Sequence, residues 1–114
     1  MYCFKKLKQN SDFRRIYGRG EAFVDPAFVA YALKTKSNGV RLGITAGKKI
    51  GGAVERNRAK RILTAAFSEC AGSIVGGYDF VLVARTRLLK HKSTDIARAL
   101  KRYLSEAGII ENDK

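Results

Sequence analysis

Residues 51–71 read GGAVERNRAKRILTAAFSECA and predict a long helix that follows a Gly-Gly break. Asn57 and Arg61 point almost directly away from the apolar side of this helix, and Arg58 and Lys60 lie on its two flanks. The apolar side recurs with helical spacing at Ala59, Ile62, Leu63, Ala66, Phe67 and Cys70. The pattern therefore predicts a helix over about 53–71 with one face in a core and a basic face suited to an anion.

The flanking sequence predicts three strands before this helix and one after it. The strands are expected at 21–24, 28–34, 40–45 and 78–84, and Ser37-Asn38-Gly39 predicts a hairpin between the second and third. Ser11 can cap a first helix that ends at Gly18 and Gly20, and Ser93 can cap a last helix over about 94–107 that ends at Gly108. The order favours a single α+β domain over 1–114, with the helices on one side of an antiparallel set of strands.

The charge of the chain is strongly positive. Among 114 residues there are 23 Lys and Arg against 10 Asp and Glu, a formal net charge of +13. The densest block lies at 46–61, where Glu55 is the one acidic residue and the basic residues are Lys48, Lys49, Arg56, Arg58, Lys60 and Arg61. This charge predicts a nucleic-acid partner. A membrane surface is the weaker alternative, because no basic amphipathic segment carries bulky apolar anchors.

Several functional classes are disfavoured by the sequence. No apolar run approaches the ~18 residues of a membrane span, and the N-terminus lacks a secretory signal. Cys3, Cys70 and His91 are too scattered for a zinc site, and the carboxylates form no cluster for a two-metal nuclease. We therefore expect no catalytic residue and no metal site in the protein itself, and two reduced thiols in a cytoplasmic protein.

Aromatic residues offer a second surface for nucleic acid. Phe28 and Phe80 are expected in the core. Tyr31 alternates to the strand face opposite Phe28, where it could remain accessible. Phe13 and Tyr17 are further candidates for stacking on unpaired bases.

The stretch KKIGGAVERNRAKRILTAAF at 48–67 resembles the signature of the bacterial ribonuclease P protein component. The similarity continues over nearly the whole chain, including Asp12-Phe13, the strand at 28–31 and the strand from Tyr78 to Arg85. Within the signature the matching residues are Lys48-Lys49-Ile50-Gly51, Ala53-Val54, Arg56-Asn57-Arg58, Lys60-Arg61 and Phe67. Two positions depart from the family pattern: Thr64 stands where a basic residue is frequent, and Gly52 replaces a commonly polar residue.

The resemblance implies a fold and a function. The fold is a two-layer α/β sandwich of order αβββαβα, with a four-stranded mixed sheet and a left-handed βαβ crossover. The function is that of the protein subunit of an endoribonuclease, in which a catalytic RNA holds Mg²⁺ and removes the 5′ leader of precursor tRNA. The implied partners are that RNA and the leader, with no membrane and no obligate protein partner. The implied catalytic-RNA contacts are Lys48, Lys49, Arg56, Asn57, Arg58, Lys60 and Arg61, and the implied leader-cleft residues are Phe13, Tyr17 and Tyr31.

Two other functions remain open at this level. One is a ribosomal or general RNA-binding protein without a role in catalysis, against which the motif at 48–61 argues. The other is a DNA-binding module whose basic helix enters the major groove, although no helix-turn-helix partner precedes that helix.

Overall fold

The computed structural model describes residues 4–110 and contains a five-stranded sheet with three helices. The strands are β1 (Lys5–Lys6), β2 (Glu21–Val24), β3 (Phe28–Lys34), β4 (Val40–Thr45) and β5 (Tyr78–Ala84). The helices are α1 (Asn10–Arg19), α2 (Ala53–Ala71) and α3 (Ser93–Glu106), and short 3₁₀ turns lie at Lys48–Ile50 and Thr86–Lys90. The predicted α+β class is confirmed, and the predicted strands and central helix have the expected bounds.

The sheet is mixed, as the resemblance implies, and its strand order is β1-β4-β5-β3-β2. The antiparallel set expected from the element order is wrong for β4, which is parallel to both of its neighbours. β4 runs parallel to β1 and β5, whereas β3 runs antiparallel to β5 and β2. The expected number of four strands is corrected to five by β1, in which Lys5 and Lys6 pair with Arg41 and Leu42. A strand of two exposed lysines carries no alternation from which it could have been predicted.

The hairpin predicted at Ser37-Asn38-Gly39 is wrong, because β5 lies between β3 and β4. Residues on both faces of β5 are buried, so this strand takes the centre of the sheet. The 35–39 connection instead crosses the start of β5. There the N–H of Thr35 donates to the Gly77 carbonyl (3.1 Å) and the N–H of Tyr78 donates to the Gly39 carbonyl (3.2 Å).

The two faces of the sheet are covered differently. On one face, α2 and α3 pack on Phe28, Phe80 and Leu82 in the main core, as the sequence predicts for α2 and α3. On the other face, Ile16 of α1 packs with Leu7 and Val81 in a much smaller cluster. The expectation of helices on one side is therefore wrong for α1. The handedness of the β4-α2-β5 crossover stays an expectation from the resemblance.

The helix ends differ slightly from the predicted ones. α1 begins at Asn10 and α3 at Ser93, so Ser11 and Ser93 lie in the first turns rather than at the caps. The first turn of α3 is closed by Asp95, whose carboxylate accepts from the N–H of Lys92 (3.1 Å). After α3, Gly108 adopts the left-handed conformation (φ 76°) expected at a helix C-terminus.

The structure describes one of the two cysteines, and its helices can be compared with the requirements of a membrane span. Cys70 is a free, buried thiol on the core face of α2, whereas Cys3 lies outside the described residues. Among residues 4–110, no helix is both long and apolar enough to cross a bilayer.

Candidate nucleic-acid interface

The basic face of α2 is presented to solvent as the helical wheel predicts. Asn57, Arg58, Lys60 and Arg61 are exposed, while Ala59 between them is fully buried. Arg56 is half-buried, and its Nη1 donates to the Gly51 carbonyl (3.3 Å). The core therefore fixes the rotation of α2, and the outward face combines three cations with one amide.

Lys48 and Lys49 lie on the 3₁₀ turn that leads into α2, and both are exposed. This turn ends at Gly51, whose φ of 141° favours glycine. The two lysines line a cavity of about 580 Å³ at the carboxyl ends of the parallel strands β4 and β5, together with Thr45, Val83 and Arg85. Strand ends of this kind are where open α/β sheets place ligands.

Arg85 is a candidate residue that the sequence reasoning missed. It is exposed directly after β5, and the cavity brings it to the same surface as Lys48 and Lys49. Its Nη1 donates to the Asp25 carbonyl (3.1 Å), so the side chain is anchored at the turn before β3. Its place directly after a buried strand was the available signal.

Phe13, Tyr17 and Tyr31 form a row across the sheet face that carries α1. The ring centroids of Phe13 and Tyr17 lie 6.4 Å apart, and those of Tyr17 and Tyr31 lie 4.9 Å apart in an edge-to-face arrangement. Tyr17 is 41% exposed and the other two are half-buried. Phe28 and Phe80 are fully buried on the opposite face, as predicted. The structure therefore brings the three predicted cleft aromatics together.

The ring of Phe13 lies directly on the backbone of β4. A Cβ atom added at Gly43 would come within 2.5 Å of Cζ of Phe13. Real Cβ atoms do not approach other atoms so closely, so glycine at this position is what allows the ring to rest on the strand.

The aromatic row and the basic helix meet at the edge of β4. A cavity of about 280 Å³ is lined by Phe13 and Gly43 on one side and by Lys60 and Thr64 on the other. β1 pairs with β4 only at Arg41 and Leu42, so this edge is not covered by β1 beyond them. The hydroxyl of Thr64 donates to the Lys60 carbonyl (2.8 Å), so Thr64 places a satisfied polar group at this junction.

A cluster of four charged side chains lies beside α1 and was not foreseen from the sequence. Asp79 is buried (1% exposed), and Arg41 donates to it from Nε (2.9 Å to Oδ1) and Nη2 (2.7 Å to Oδ2). Nη2 of Arg15 also donates to Oδ2 of Asp79 (2.9 Å) and to Oδ1 of Asp12 (3.2 Å). Asp12 and Arg15 are an i,i+3 pair, but Asp79 lies 64 residues from Arg15 and 38 from Arg41, so spacing gave no indication that Asp79 joins them.

The charges of this cluster stabilise one another. Burial works to raise the pKa of Asp79, but the hydrogen bonds and charges of Arg41 and Arg15 hold that pKa below its ordinary value. The hydrogen bond to Asp79 likewise raises the pKa of Arg41. Both groups are therefore ionised at neutral pH.

The carboxylates of the described chain do not gather into a metal site. Among residues 4–110, no group of three or more His, Cys, Asp or Glu side chains is placed to hold a metal ion. His91 is exposed, with Nδ1 lying 3.9 Å from Oδ2 of Asp95 at the start of α3.

Comparison with known proteins agrees with this arrangement over almost the whole chain. The Ribonuclease P family model matches residues 1–108. The ribonuclease P protein component of Clostridium beijerinckii is 35% identical over 116 residues, covering 96% of this chain and 93% of that protein. The corresponding protein of Clostridioides difficile is 37% identical over 106 residues, covering 92% and 93%.

Solved structures show the same fold. The RNase P protein of Staphylococcus aureus superposes with a TM-score of 0.81 at 31% identity, covering 96% of this chain and 100% of that one. The RNase P protein of Thermotoga maritima superposes with a TM-score of 0.77 at 27% identity, covering 95% and 99%. Sequence and fold thus agree, and the chain belongs to the ribonuclease P protein family, whose members are protein subunits of a tRNA-processing ribonucleoprotein and partners of the ribonuclease P RNA.

Proposed function

We propose that this protein binds the catalytic RNA of ribonuclease P through α2 and the turn before it, and the single-stranded 5′ leader of precursor tRNA through the aromatic row. The bound leader is then cut off by the RNA subunit to give the mature tRNA 5′ end. The complex acts as an endoribonuclease in the cytoplasm, and the protein supplies binding and position.

The observation that carries the proposal is that the basic face of α2 and the aromatic row lie on opposite faces of the sheet and approach each other at one edge. The basic face of α2 is exposed opposite its core stripe, while the aromatic row lies on the other face of the sheet. Both reach the cavity at the open edge of β4. One small protein can therefore contact two RNA segments at the same time.

The basic surface suits an RNA backbone. The guanidinium groups of Arg58 and Arg61 can each pair with phosphate oxygens in a bidentate manner, and the amide of Asn57 can bond a 2′-hydroxyl or a phosphate. Lys48, Lys49 and Lys60 add point charges along the same side. Arg56 contributes by holding the turn through the Gly51 carbonyl as well as by its charge.

The aromatic row suits unpaired bases. Base stacking on exposed rings tolerates any sequence, because every base has a π face. Tyr17 offers the most exposed ring, and the half-buried Phe13 and Tyr31 hold it at fixed spacing. Such a cleft would favour substrates that carry a leader over tRNA that lacks one.

Mg²⁺ enters this proposal as an ion held by the RNA subunit and the substrate. The described residues do not offer a carboxylate set for it: Asp79 and Asp12 are engaged by Arg15 and Arg41, and their neighbourhood is cationic. What the protein adds is positive charge between two polyanions, which lowers their repulsion and with it the Mg²⁺ concentration needed for assembly.

The test is cleavage of a precursor tRNA by the catalytic RNA at low Mg²⁺, with and without this protein. We expect the protein to restore cleavage at the mature 5′ end, and the effect to diminish as Mg²⁺ rises. A matched reaction with a precursor that lacks most of its leader separates the two surfaces, because it retains only the contribution of RNA binding.

One outcome of this cleavage experiment would contradict the proposed function. Tight binding to structured RNA with no gain in cleavage would contradict a role in leader removal. It would favour the alternative of a general or ribosomal RNA-binding protein of the same fold.

A further inference from the structure

Helix α1 is attached to the sheet by a small apolar contact. Ile16 is the one buried residue of this helix. It packs with Leu7 and Val81, and the surrounding apolar residues are only half-buried: Phe13, Tyr31, Leu33 and Val83. By contrast, α2 and α3 bury many side chains against the other face. Apolar packing alone therefore fixes the position of α1 less firmly than that of the other helices.

A second attachment of α1 is polar and runs through Asp79. This carboxylate lies near the start of the central strand β5, opposite Arg41 on β4 and Leu33 on β3. Arg41 holds both of its oxygens, and Arg15 of α1 donates to Oδ2 at 2.9 Å. Because Asp79 is 1% exposed and pinned by Arg41, it gives Arg15 a rigid anchor.

The anchored residue lies between the two aromatic residues that α1 contributes to the cleft. Phe13 precedes Arg15 by two positions and Tyr17 follows it by two, so a turn of α1 about its axis would move both rings. Tyr17 meets Tyr31 of β3 at 4.9 Å between centroids, a distance that such a movement would change.

We propose that Asp79 is a positioning residue for the leader cleft: through Arg15 it fixes α1 so that Phe13 and Tyr17 keep their places relative to Tyr31. The inference rests on the proposed function, in which this cleft takes the leader. Because Asp79 is buried, it acts on the cleft through Arg15 of α1 rather than by offering its own side chain to RNA.

The fold separates this role from binding of the catalytic RNA. The basic face belongs to α2, which packs against the opposite face of the sheet through the main core. Loss of the Asp79 anchor should weaken recognition of the leader and leave the affinity for the catalytic RNA unchanged.

The test uses the complete protein bound to its catalytic RNA. Equilibrium affinities are measured for a precursor tRNA with a leader of about eight nucleotides, within the range that single-strand-binding clefts cover, and for the same tRNA without a leader. The ratio of the two affinities is compared among wild type, Asp79→Asn, Arg15→Ala and Arg14→Ala. Arg14 is the matched control, since it is exposed on the same helix, carries the same charge and forms no ion pair within residues 4–110.

We expect the ratio to fall about fivefold or more in Asp79→Asn and in Arg15→Ala, the scale of one lost charge-assisted hydrogen bond. The ratio for Arg14→Ala should equal that of wild type. Hydrogen exchange of the free proteins provides the second readout: in Arg15→Ala, where Asp79 keeps its hydrogen bonds from Arg41, the protection of α1 amides should fall by a larger factor than the protection of α2 amides.

The inference is overturned by an unchanged ratio in a folded Arg15→Ala protein, or by an equal loss in Arg14→Ala, which would show that charge alone matters. If Asp79→Asn does not fold, Arg15→Ala decides the question. If wild type itself shows no leader dependence, the proposed function has failed. Unchanged exchange of α1 in Arg15→Ala would then refute the anchor independently.

Discussion

At the scale of single residues, the shape of the aromatic cleft depends on a glycine in β4, Gly43. Gly43 allows the ring of Phe13 to lie against the backbone of β4, and a methyl group there would come within 2.5 Å of the ring. By contrast, a methyl group at Gly18 on α1 would meet no atom within 4 Å. These two glycines therefore form a matched pair for mutation.

Gly43→Ala is expected to destabilise the protein by about 1–3 kcal/mol, because the new methyl group forces Phe13 or α1 outward. The same displacement should reduce affinity for the leader. Gly18→Ala should raise the free energy of unfolding by about 0.5–1 kcal/mol, since alanine favours the helix. Urea unfolding of the two variants checks both signs, and a neutral Gly43→Ala would contradict the close approach of Phe13.

Cys70 is the residue whose chemistry burial suppresses most clearly. Desolvation raises the pKa of its thiol to about 11, and its sulfur lies within hydrogen-bonding distance (3.5 Å) of the Ala66 carbonyl. We expect alkylation of Cys70 at pH 8 to be slow in the folded protein and fast in urea, as peptide mapping by mass spectrometry would show. Rapid alkylation of the native thiol would refute its burial.

The raised pKa of Cys70 also predicts a dependence of stability on pH. Because the thiol ionises at lower pH in the unfolded chain than in the folded protein, the free energy of unfolding should fall as the pH rises from about 9 to about 11.

At the scale of elements, α2 combines a buried stripe and an exposed charged face on one helix. Arg58→Ala together with Arg61→Ala should weaken binding to the catalytic RNA and reduce the slope of log affinity against log salt by roughly one unit for each lost phosphate contact. Salt titrations of RNA binding measure this directly.

The control for that experiment removes the same charge from another helix. Arg98 and Lys101 are exposed on α3, and their double replacement by alanine lowers the net charge equally. An equal loss of affinity in both double variants would show that net charge, rather than the face of α2, determines binding.

Periodicity was sufficient to predict most elements and insufficient to predict their arrangement. The stripe on α2 and the alternation in β3 depend on nearby residues, and both appear as predicted. The insertion of β5 between β3 and β4 depends on pairing partners that are far apart in sequence, so local turn residues at 37–39 predicted a hairpin that does not form. The face to which α1 binds is set by the same kind of long-range contact.

Some residues of the candidate site could be predicted from the sequence, and others could not. The basic residues of α2 and the three aromatics follow from local spacing and from the resemblance, and the structure brings them into two connected surfaces. Arg85 and Asp79 were missed because their neighbours lie on other elements that are distant in sequence. Contacts between distant segments are what sequence spacing cannot supply.

At the scale of the whole molecule, stability depends on pH through the buried carboxylate of Asp79, which the guanidinium groups of Arg15 and Arg41 hold in its charged form. Ionised Asp79 is favoured in the folded state, so its contribution to stability is present above the ordinary carboxyl pKa of about 3.9 and decreases as the pH falls through its lower folded pKa. Wild type should therefore lose more stability between pH 5 and pH 2 than Asp79→Asn does.

At pH 7 the substitution Asp79→Asn should lower the free energy of unfolding by about 2–3 kcal/mol. This value is below that of a fully buried pair, because the side chains of Arg15 and Arg41 are 33% and 38% exposed. Urea unfolding at the two pH values measures both effects, and parallel losses in wild type and variant would exclude Asp79 as an acid-sensitive group.

The central place of β5 has a consequence for biosynthesis. A ribosome makes the protein from its N-terminus, so β3, β4 and the RNA-binding helix emerge before the strand that joins them at 78–84. Until then the nascent chain can pair β2 with β3 and the two-residue β1 with β4, and such isolated two-stranded pairs are at best marginally stable in water. Helix α2 therefore cannot pack against the complete sheet until β5 has been translated.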